Sequence, residues 1–463
     1  MKNKKQIPVE INKVYEASIE GYNHEGMGVA KIEGFTVFVK EAIKGERLLF
    51  RVNEIKKTYA YGEIEKILKA SENRIKAQCP YTDLCGGCSL QHMNYKTQLD
   101  MKRDLVINAL ERIGNLKGLK VEDTIGMEYP FGYRNNAQFS LEKKDKQTLI
   151  GFYSPKTHEL IDIKRCLLLP DVYGEIIDLI RLFIEEEKTS IYNRKTKEGL
   201  LKNIVIRSGF VTKEIMVILV LNQKALKKDL DTDKLITLLT SNINNIKSIQ
   251  VSINPKDSGP VLGQVIENMY GPGYIFDYID ELIFKISPLS FFQTNPQQTK
   301  VLYKKALDFA DIDKTHIVVD AYCGIGTISL AAALKAKKVY GIEWVNQAVV
   351  DANENARLNN IENVDFIEAK AEEEMIIMAQ NGLLIDRLIL DPPRKGCDEK
   401  LIQAIGKLLP SKIVYVSCNP STLARDLESL VDFGYKIDKV QPVDQFPQTR
   451  HVETVVLMSR VKD

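Results

Sequence analysis

Four groups of residues in this chain have types and spacings suited to chemistry. The first is a strand, turn, helix and strand, HIVVD-AYCGIGTISLAAALKA-KKVYGIE, in which Asp320 ends one strand and Glu343 ends the next, 23 residues on. Gly324 and Gly326 let the backbone pass close to a ligand at the helix start, and an acid at the second strand end accepts hydrogen bonds from ribose hydroxyls. That geometry suits an adenosine-bearing cofactor. The third glycine of the dinucleotide pattern is replaced by Ser329, and Asp320 sits at the strand end; both features favour S-adenosylmethionine over a nicotinamide.

The second group is KIVYVSCNPSTLARDL, which places Cys418 after a strand and before a helix. Asn419 is a good N-cap and Pro420 a good first helical residue. A thiol at the positive end of a helix is expected to favour thiolate, the form that attacks carbon. The third is RLILDPPRKG, which presents Asp391 at another strand end with Pro392 and Pro393 stiffening the loop. The fourth is Cys79, Cys85 and Cys88, spaced C-x5-C-x2-C, with Cys166 the remaining partner 78 positions later. Four thiolates bind tetrahedral zinc or an iron–sulfur cluster, and spacing alone leaves both open. Cys323 and Cys397 read as small buried hydrophobes.

The elements that must position these groups follow from length and pattern. With 463 residues, two or three domains are expected. The chain carries 64 Lys or Arg against 62 Asp or Glu and is 44% hydrophobic, the balance of a folded globular protein. No run reaches the roughly 18 apolar residues of a membrane span, and the opening MKNKKQIPVE has no apolar stretch of a secretory leader behind it. A cytoplasmic protein without a disulfide framework is expected, since seven cysteines is an odd number.

Residues 1–68 read as a small antiparallel barrel of short strands between glycine turns. Residues 69–275 hold the cysteine loop, a helix over 95–113 ended by Gly114-Asn115 that is a candidate to pack on the C-terminal domain despite its place in the chain, and mixed strands and helices, an α+β domain. Helices are expected near 171–187 and 231–241, and Gly271-Pro272-Gly273 marks a boundary. Residues 276–463 alternate strand and helix as a Rossmann-like, doubly wound parallel sheet, which makes the fold class α/β.

Six motifs in order, SPLSFFQTN (287–295), DAYCGIGT (320–327), GIE (341–343), DPPR (391–394), SCNPSTLARD (417–426) and HVETVVL (451–457), resemble the S-adenosylmethionine-dependent RNA uracil-5-methyltransferases. The resemblance implies that Cys418 is the nucleophile that adds to C6 of uracil and Glu453 the base that removes the C5 proton. It implies that Gln293, Tyr322, Glu343 and Asp391 bind the methyl donor beside Gly324 and Gly326. The stretch FPQTRHVE departs from the family in carrying Gln448 where His is often found, which bears on substrate contacts. Phe291 and Phe292 read equally as core aromatics or as a platform for a flipped base.

The text CPYTDLCGGCSLQH resembles the cluster loop of the ribosomal RNA branch, which implies a [4Fe-4S] cluster on Cys79, Cys85, Cys88 and Cys166, with zinc the second choice. The amino-terminal strands resemble a TRAM domain, an OB-like RNA-binding barrel. Residues 1–78 carry 15 Lys or Arg against 11 Asp or Glu, and Lys31, Lys40, Lys44, Arg47, Arg51, Lys56 and Lys57 are candidate phosphate contacts. Tyr133 and Arg134 in YRNNAQFS are candidate readers of single-stranded RNA. Together these features imply 23S ribosomal RNA as substrate and a monomer needing no protein or membrane partner. The alternatives are a tRNA uracil-5-methyltransferase, a non-catalytic iron–sulfur RNA-binding protein, and a nicotinamide oxidoreductase.

Overall fold

The computed structural model describes residues 7–145, 147–155, 157–223 and 230–461; the first six residues of the opening MKNKKQIPVE lie outside them. Among the described residues no helix is long and apolar enough to cross a membrane.

The first sheet contains β1 (Val14–Ser18), β2 (Gly21–Tyr22), β3 (Gly28–Ile32), β4 (Phe35–Lys40), β5 (Arg47–Ile55) and β6 (Tyr59–Lys69), in the order β1-β5-β6-β4-β3-β2. Alternate residues Val37, Val39, Leu48, Phe50, Val52 and Ala60 point inward to one core, as a half-buried strand period requires. One pairing corrects the expected all-antiparallel barrel: β4 runs parallel to β6, with Thr36 opposite Tyr59. The chain between them passes through β5, which lies on the other side of β6 in the same sheet and supplies the long connection a parallel pair needs.

Helix α1 (Tyr95–Arg112) follows the cysteine loop. Its Val106, Ala109 and Leu110 do not pack on the barrel or the middle sheet but join Leu423, Ala424 and Val440 of the carboxy-terminal unit in one core. Gly114 ends the helix where a Cβ would come 2.6 Å from the Ala424 carbonyl oxygen.

The middle sheet runs β13-β12-β11-β10-β7-β8-β9, built from β7 (Asn136–Lys144), β8 (Gln147–Tyr153), β9 (Leu160–Asp162), β10 (Leu201–Ser208), β11 (Ile215–Leu221), β12 (Ile246–Ile253) and β13 (Val265–Tyr270). Helices α2 (Asp171–Glu186) and α3 (Thr232–Asn242) cover one face. The other face packs on the carboxy-terminal unit. Strand β11 shows why: Val217 and Leu219 belong to the core under α2, while Met216, Ile218 and Val220 share a core with Leu302 and Val318. The unbroken run IMVILVL is a strand buried on both sides.

A hairpin, β14 (Ile275–Ile279) and β15 (Leu282–Ile286), leads into α4 (Pro296–Ala310). The last sheet contains β16 (Ile317–Ala321), β17 (Lys338–Glu343), β18 (Val364–Glu368), β19 (Arg387–Leu390), β20 (Lys412–Ser417), β21 (Tyr435–Val443) and β22 (Glu453–Arg460). Between these strands come α5 (Thr327–Ala333), α6 (Asn346–Leu358), α7 (Ala371–Gln380), α8 (Glu399–Leu408) and α9 (Pro420–Asp432). The order β18-β17-β16-β19-β20-β22-β21 is parallel except for β22, which is antiparallel to both neighbours. The order reverses between β16 and β19, which opens a crevice at the carboxyl ends of the strands, where such sheets bind ligands.

Candidate active site

Every residue singled out for chemistry in the last unit lies at that one edge of the sheet. Asp320 is the penultimate residue of β16, Glu343 closes β17, Asp391 follows β19, and Cys418 follows β20. Because β22 runs the other way, its first residue, Glu453, arrives at the edge where β20 ends. The last rung of that ladder pairs Ser417 with Thr454, so Cys418 and Glu453 face each other one step beyond it.

The cofactor loop is held in a conformation most residues avoid. Tyr322, Gly324 and Gly326 have φ of 76°, 55° and 85°. A Cβ on Gly326 would meet the Phe366 ring at 2.7 Å, whereas nothing lies within 4 Å of one on Gly324, the side left open to a ligand. Glu343 braces the loop: its Oε2 accepts the Gly324 N–H at 3.2 Å and its Oε1 the Val345 N–H at 2.9 Å. Ser329, the departure from the glycine pattern, donates its hydroxyl to Asp320 Oδ2 at 2.6 Å. The other oxygen of Asp320 is buried with no partner among the described residues. Burial and the nearby Glu343 push the Asp320 carboxyl up to about 7, and burial and Asp320 push Asp391 to about 7. A crevice with an unpartnered acceptor and acids short of positive charge fits a cationic ligand such as S-adenosylmethionine.

Sequence reasoning missed Tyr303. Its buried hydroxyl lies 3.0 Å from Thr327 Oγ1 at the start of α5 and also bonds the Gln293 side chain, tying the SFFQTN segment to the cofactor loop. The Gln293 carbonyl accepts Asn135 Nδ2 at 3.0 Å. Nothing in the spacing of a tyrosine inside a helix announces that bond. Phe291 and Phe292 separate cleanly: Phe292 is 4% exposed and packs on Phe284, while Phe291 is 69% exposed.

At the thiol, the helix start is as the sequence implies: Asn419 Oδ1 accepts the Ser421 N–H at 3.1 Å and Pro420 opens α9. The expected thiolate is not favoured, however. Burial, then Glu453 and Asp391, push the Cys418 thiol up to about 11, outweighing the helix end and Arg394. Glu453, 5% exposed, is itself pushed up to about 8 by burial and Asp391. Burial and the cations Arg394 and Arg450 lower His451 to about 4, so it is neutral. Cys323 and Cys397 are 5% and 7% exposed, and Cys397 lies in the core that α1 shares with this unit.

A family model described as tRNA (uracil-5-)-methyltransferase matches residues 277–461, and a TRAM-domain model matches residues 8–64. An uncharacterized RNA methyltransferase of Clostridium tetani is 45% identical over 99% of each chain, and one of Caldanaerobacter subterraneus is 44% identical over 98% of this chain and 99% of its own. The crystal structure of Pyrococcus abyssi tRNA (uracil-54, C5)-methyltransferase with S-adenosyl-L-homocysteine is 31% identical, covers 96% of this chain and 99% of its own, and superposes with a TM-score of 0.76. The chain belongs to the RNA uracil-5-methyltransferase family. It is an S-adenosylmethionine-dependent enzyme acting on RNA.

In the methyltransferase's cysteine loop, Cys79, Cys85, Cys88 and Cys166 are all free and partly buried. They gather closely enough that burial and the other three thiols push Cys88 up to about 12. Gln91 Oε1 accepts the Cys79 N–H at 3.0 Å, and a cavity of about 380 Å³ opens beside Cys79, Cys88 and His92. Among the described residues, no group of three or more His, Cys, Asp or Glu is arranged to hold a metal ion. Four thiols as donors suit iron–sulfur or zinc in kind.

The methyltransferase's RNA-facing candidates sort differently from their sequence reading. Lys31, Lys40, Lys44, Arg47, Arg51 and Lys56 each pair with a carboxylate of Glu20, Glu41, Asp104, Glu16, Glu65 and Glu54 respectively. Exposed pairs of this kind are worth about 0–1 kcal/mol, so phosphates can displace them. Half-exposed Phe38, Tyr59 and Tyr61 form a trio on the outer face of β4 and β6, with ring centroids 5.2, 5.5 and 6.0 Å apart. Tyr133 is corrected: it is 2% exposed and donates its hydroxyl to the Pro447 carbonyl at 3.0 Å, so it reads no RNA. Gln448, expected near substrate, is 4% exposed and bonded within the protein.

Proposed function

We propose that this methyltransferase forms 5-methyluridine in 23S ribosomal RNA through a covalent adduct on Cys418, with Glu453 as the general base. One observation carries the chemistry: a thiol and a carboxyl on facing strand ends, beside a loop suited to a sulfonium cofactor. Uracil C5 alone is too poor a nucleophile to be alkylated. Addition of the Cys418 sulfur to C6 moves the electron pair of the C5–C6 double bond into an enolate, which makes C5 nucleophilic. C5 then bonds the methyl carbon of S-adenosylmethionine, which Gln293, Tyr322, Glu343, Asp391 and the backbone at Gly324 and Gly326 would hold, and the electron pair of the broken methyl–sulfur bond leaves on S-adenosylhomocysteine. Glu453 then takes the C5 proton; the C–H electron pair re-forms the double bond and expels the Cys418 thiolate. The target base must leave its stack for sulfur to reach C6, and exposed Phe291 is the aromatic placed to replace that stacking.

Residues 1–68 and 69–275 dock the RNA, and residues 276–463 carry the reaction. The Phe38, Tyr59 and Tyr61 rings offer stacking surface to unpaired bases. Cys79, Cys85, Cys88 and Cys166 hold a [4Fe-4S] cluster that shapes the loop; iron and sulfide analysis of protein purified without oxygen, against zinc analysis, tests it. The enzyme works as a monomer in the cytoplasm, since one chain supplies all the groups named.

A tRNA substrate is the second reading, favoured by the Pyrococcus abyssi enzyme, a tRNA (uracil-54, C5)-methyltransferase whose likeness spans the barrel and middle sheet as well. Incubation of purified protein with methyl-labelled S-adenosylmethionine and equal amounts of 23S and tRNA transcripts decides between them. Labelled 5-methyluridine in 23S digests is expected; label confined to tRNA makes the second reading correct.

A further inference from the structure

The loop 444–452, which delivers Glu453 to the sheet edge, is held by residues that precede it by some 350 positions in sequence. Gln448 sits at its turn with φ of 67°, a left-handed conformation unfavourable for a residue with a side chain. The Gln448 N–H donates to Gln98 Oε1 at 3.1 Å, and Gln98 Nε2 donates back to Gln448 Oε1 at 3.0 Å. The Ser89 and Leu90 N–H groups donate to the Gln448 carbonyl at 2.9 and 3.1 Å. Two residues on, the Arg450 N–H donates to Ser89 Oγ at 3.0 Å. At the other end of the loop, fully buried Lys102 pairs with fully buried Asp444 and donates to the Phe446 carbonyl at 3.1 Å.

We propose that Gln98, assisted by Ser89, is a positioning residue for proton abstraction: it holds the Gln448 turn so that Glu453 lies over C5 of the covalent adduct. The inference rests on the reading of Glu453 as the base. The ladders hold the backbone of Glu453 itself opposite Val443 of β21 and, on its carboxyl side, Thr454 opposite Ser417 of β20. On its amino side the chain comes straight from this loop, so the Gln448 turn decides how His451 and Glu453 enter the site. Gln98 is 1% exposed, and its amide also donates to the Leu90 and Met93 carbonyls, so its own orientation is locked. The cysteine loop, through Ser89 and Leu90, and helix α1, through Gln98, thus grip one residue of the catalytic unit. Cys418 on β20 has no bond to this clamp, so sulfur addition is insulated from it.

The two steps can be read separately. RNA transcripts carrying tritium at uracil C5 report proton release, labelled S-adenosylmethionine reports methyl transfer, and a denaturing gel reports covalent adduct. Gln98→Ala is expected to slow tritium release on the order of 10- to 100-fold relative to methyl transfer, while methylated adduct accumulates. Ser89→Ala, which removes one bond and little volume, is expected to shift the same ratio less, and it serves as the test if Gln98→Ala does not fold. A change that merely loosens the fold lowers both signals together. If folded Gln98→Ala and Ser89→Ala release tritium and transfer methyl in parent proportion, with no adduct, the clamp is overturned. Glu453→Gln runs alongside: adduct in that variant but in neither clamp variant defeats the clamp alone, whereas normal turnover of Glu453→Gln defeats the reading of the base and the clamp with it.

Discussion

Cys418 and Glu453 stand opposite each other past the Ser417–Thr454 rung because β22 is the one strand of its sheet that runs against the rest. In an all-parallel sheet the first residue of a strand lies at the far edge from the last residue of its neighbour. The reversed strand therefore lets a nucleophile at a strand end share an edge with a base at a strand start. Burial raises both pKa values, with Glu453 and Asp391 adding to it at Cys418 and Asp391 adding to it at Glu453.

The pH dependence follows in sign. Glu453 accepts a proton only as carboxylate, and its pKa is pushed up to about 8; Cys418 attacks only as thiolate, and its thiol is pushed up to about 11. Turnover is expected to rise with pH through 8 and to continue rising above it, as measured by initial rates at saturating RNA. A rate that falls between pH 7 and 9, with protein and RNA intact, contradicts this assignment.

Replacing Glu453 with Gln preserves size and removes the base. Multiple turnover is expected to fall about 10²- to 10⁴-fold while one equivalent of methyl still reaches RNA. A single-turnover burst followed by arrest, with adduct on a denaturing gel, is the signature.

Ser329→Ala removes the side-chain donor to buried Asp320 and leaves it the backbone N–H of residue 329. The lost bond is expected to destabilise the folded enzyme by about 1–3 kcal/mol and to weaken S-adenosylmethionine binding more than RNA binding. Thermal unfolding and titration calorimetry check the two parts.

Part of this was legible in the sequence for a physical reason: chemistry at the ends of strands is written in local words. Asn419-Pro420 caps a helix, Gly324 and Gly326 turn a backbone, and Asp391-Pro392 leaves a strand, all within a few residues. What long-range packing decides was not legible. The parallel β4–β6 pair and the burial of Tyr133 and Gln448 depend on partners far off in the chain. The state of the Cys418 thiol was misread because the helix end is local, whereas the burial and the Glu453 carboxyl that outweigh it are tertiary.

Lys102 and Asp444 are the plainest such case, a fully buried ion pair 342 positions apart. Lys102→Met alone strands the Asp444 charge and is expected to destabilise by about 3–5 kcal/mol, while Lys102→Met with Asp444→Leu recovers much of that loss. Denaturant unfolding of the two variants checks it. Equal loss in both places the stability elsewhere.

On the barrel, Phe38→Ala and Tyr61→Ala are expected to weaken RNA binding by about 1–3 kcal/mol for each base that loses its stacking partner. KM for RNA should rise with kcat nearly unchanged, and the salt dependence of binding should stay as in the parent, because no phosphate contact is removed. Lysine changes at Lys40 or Lys44 should instead flatten that salt dependence.

The most direct measurement replaces uridine with 5-fluorouridine in the RNA that the enzyme methylates. Fluorine cannot leave as a proton, so the reaction with S-adenosylmethionine should stop at a methylated covalent complex. Nuclease and protease digestion followed by mass spectrometry is predicted to find the fluorinated nucleotide on the peptide containing Cys418, and no complex in Cys418→Ala. A nucleotide attached to another residue, or a complex that persists in Cys418→Ala, would contradict the account.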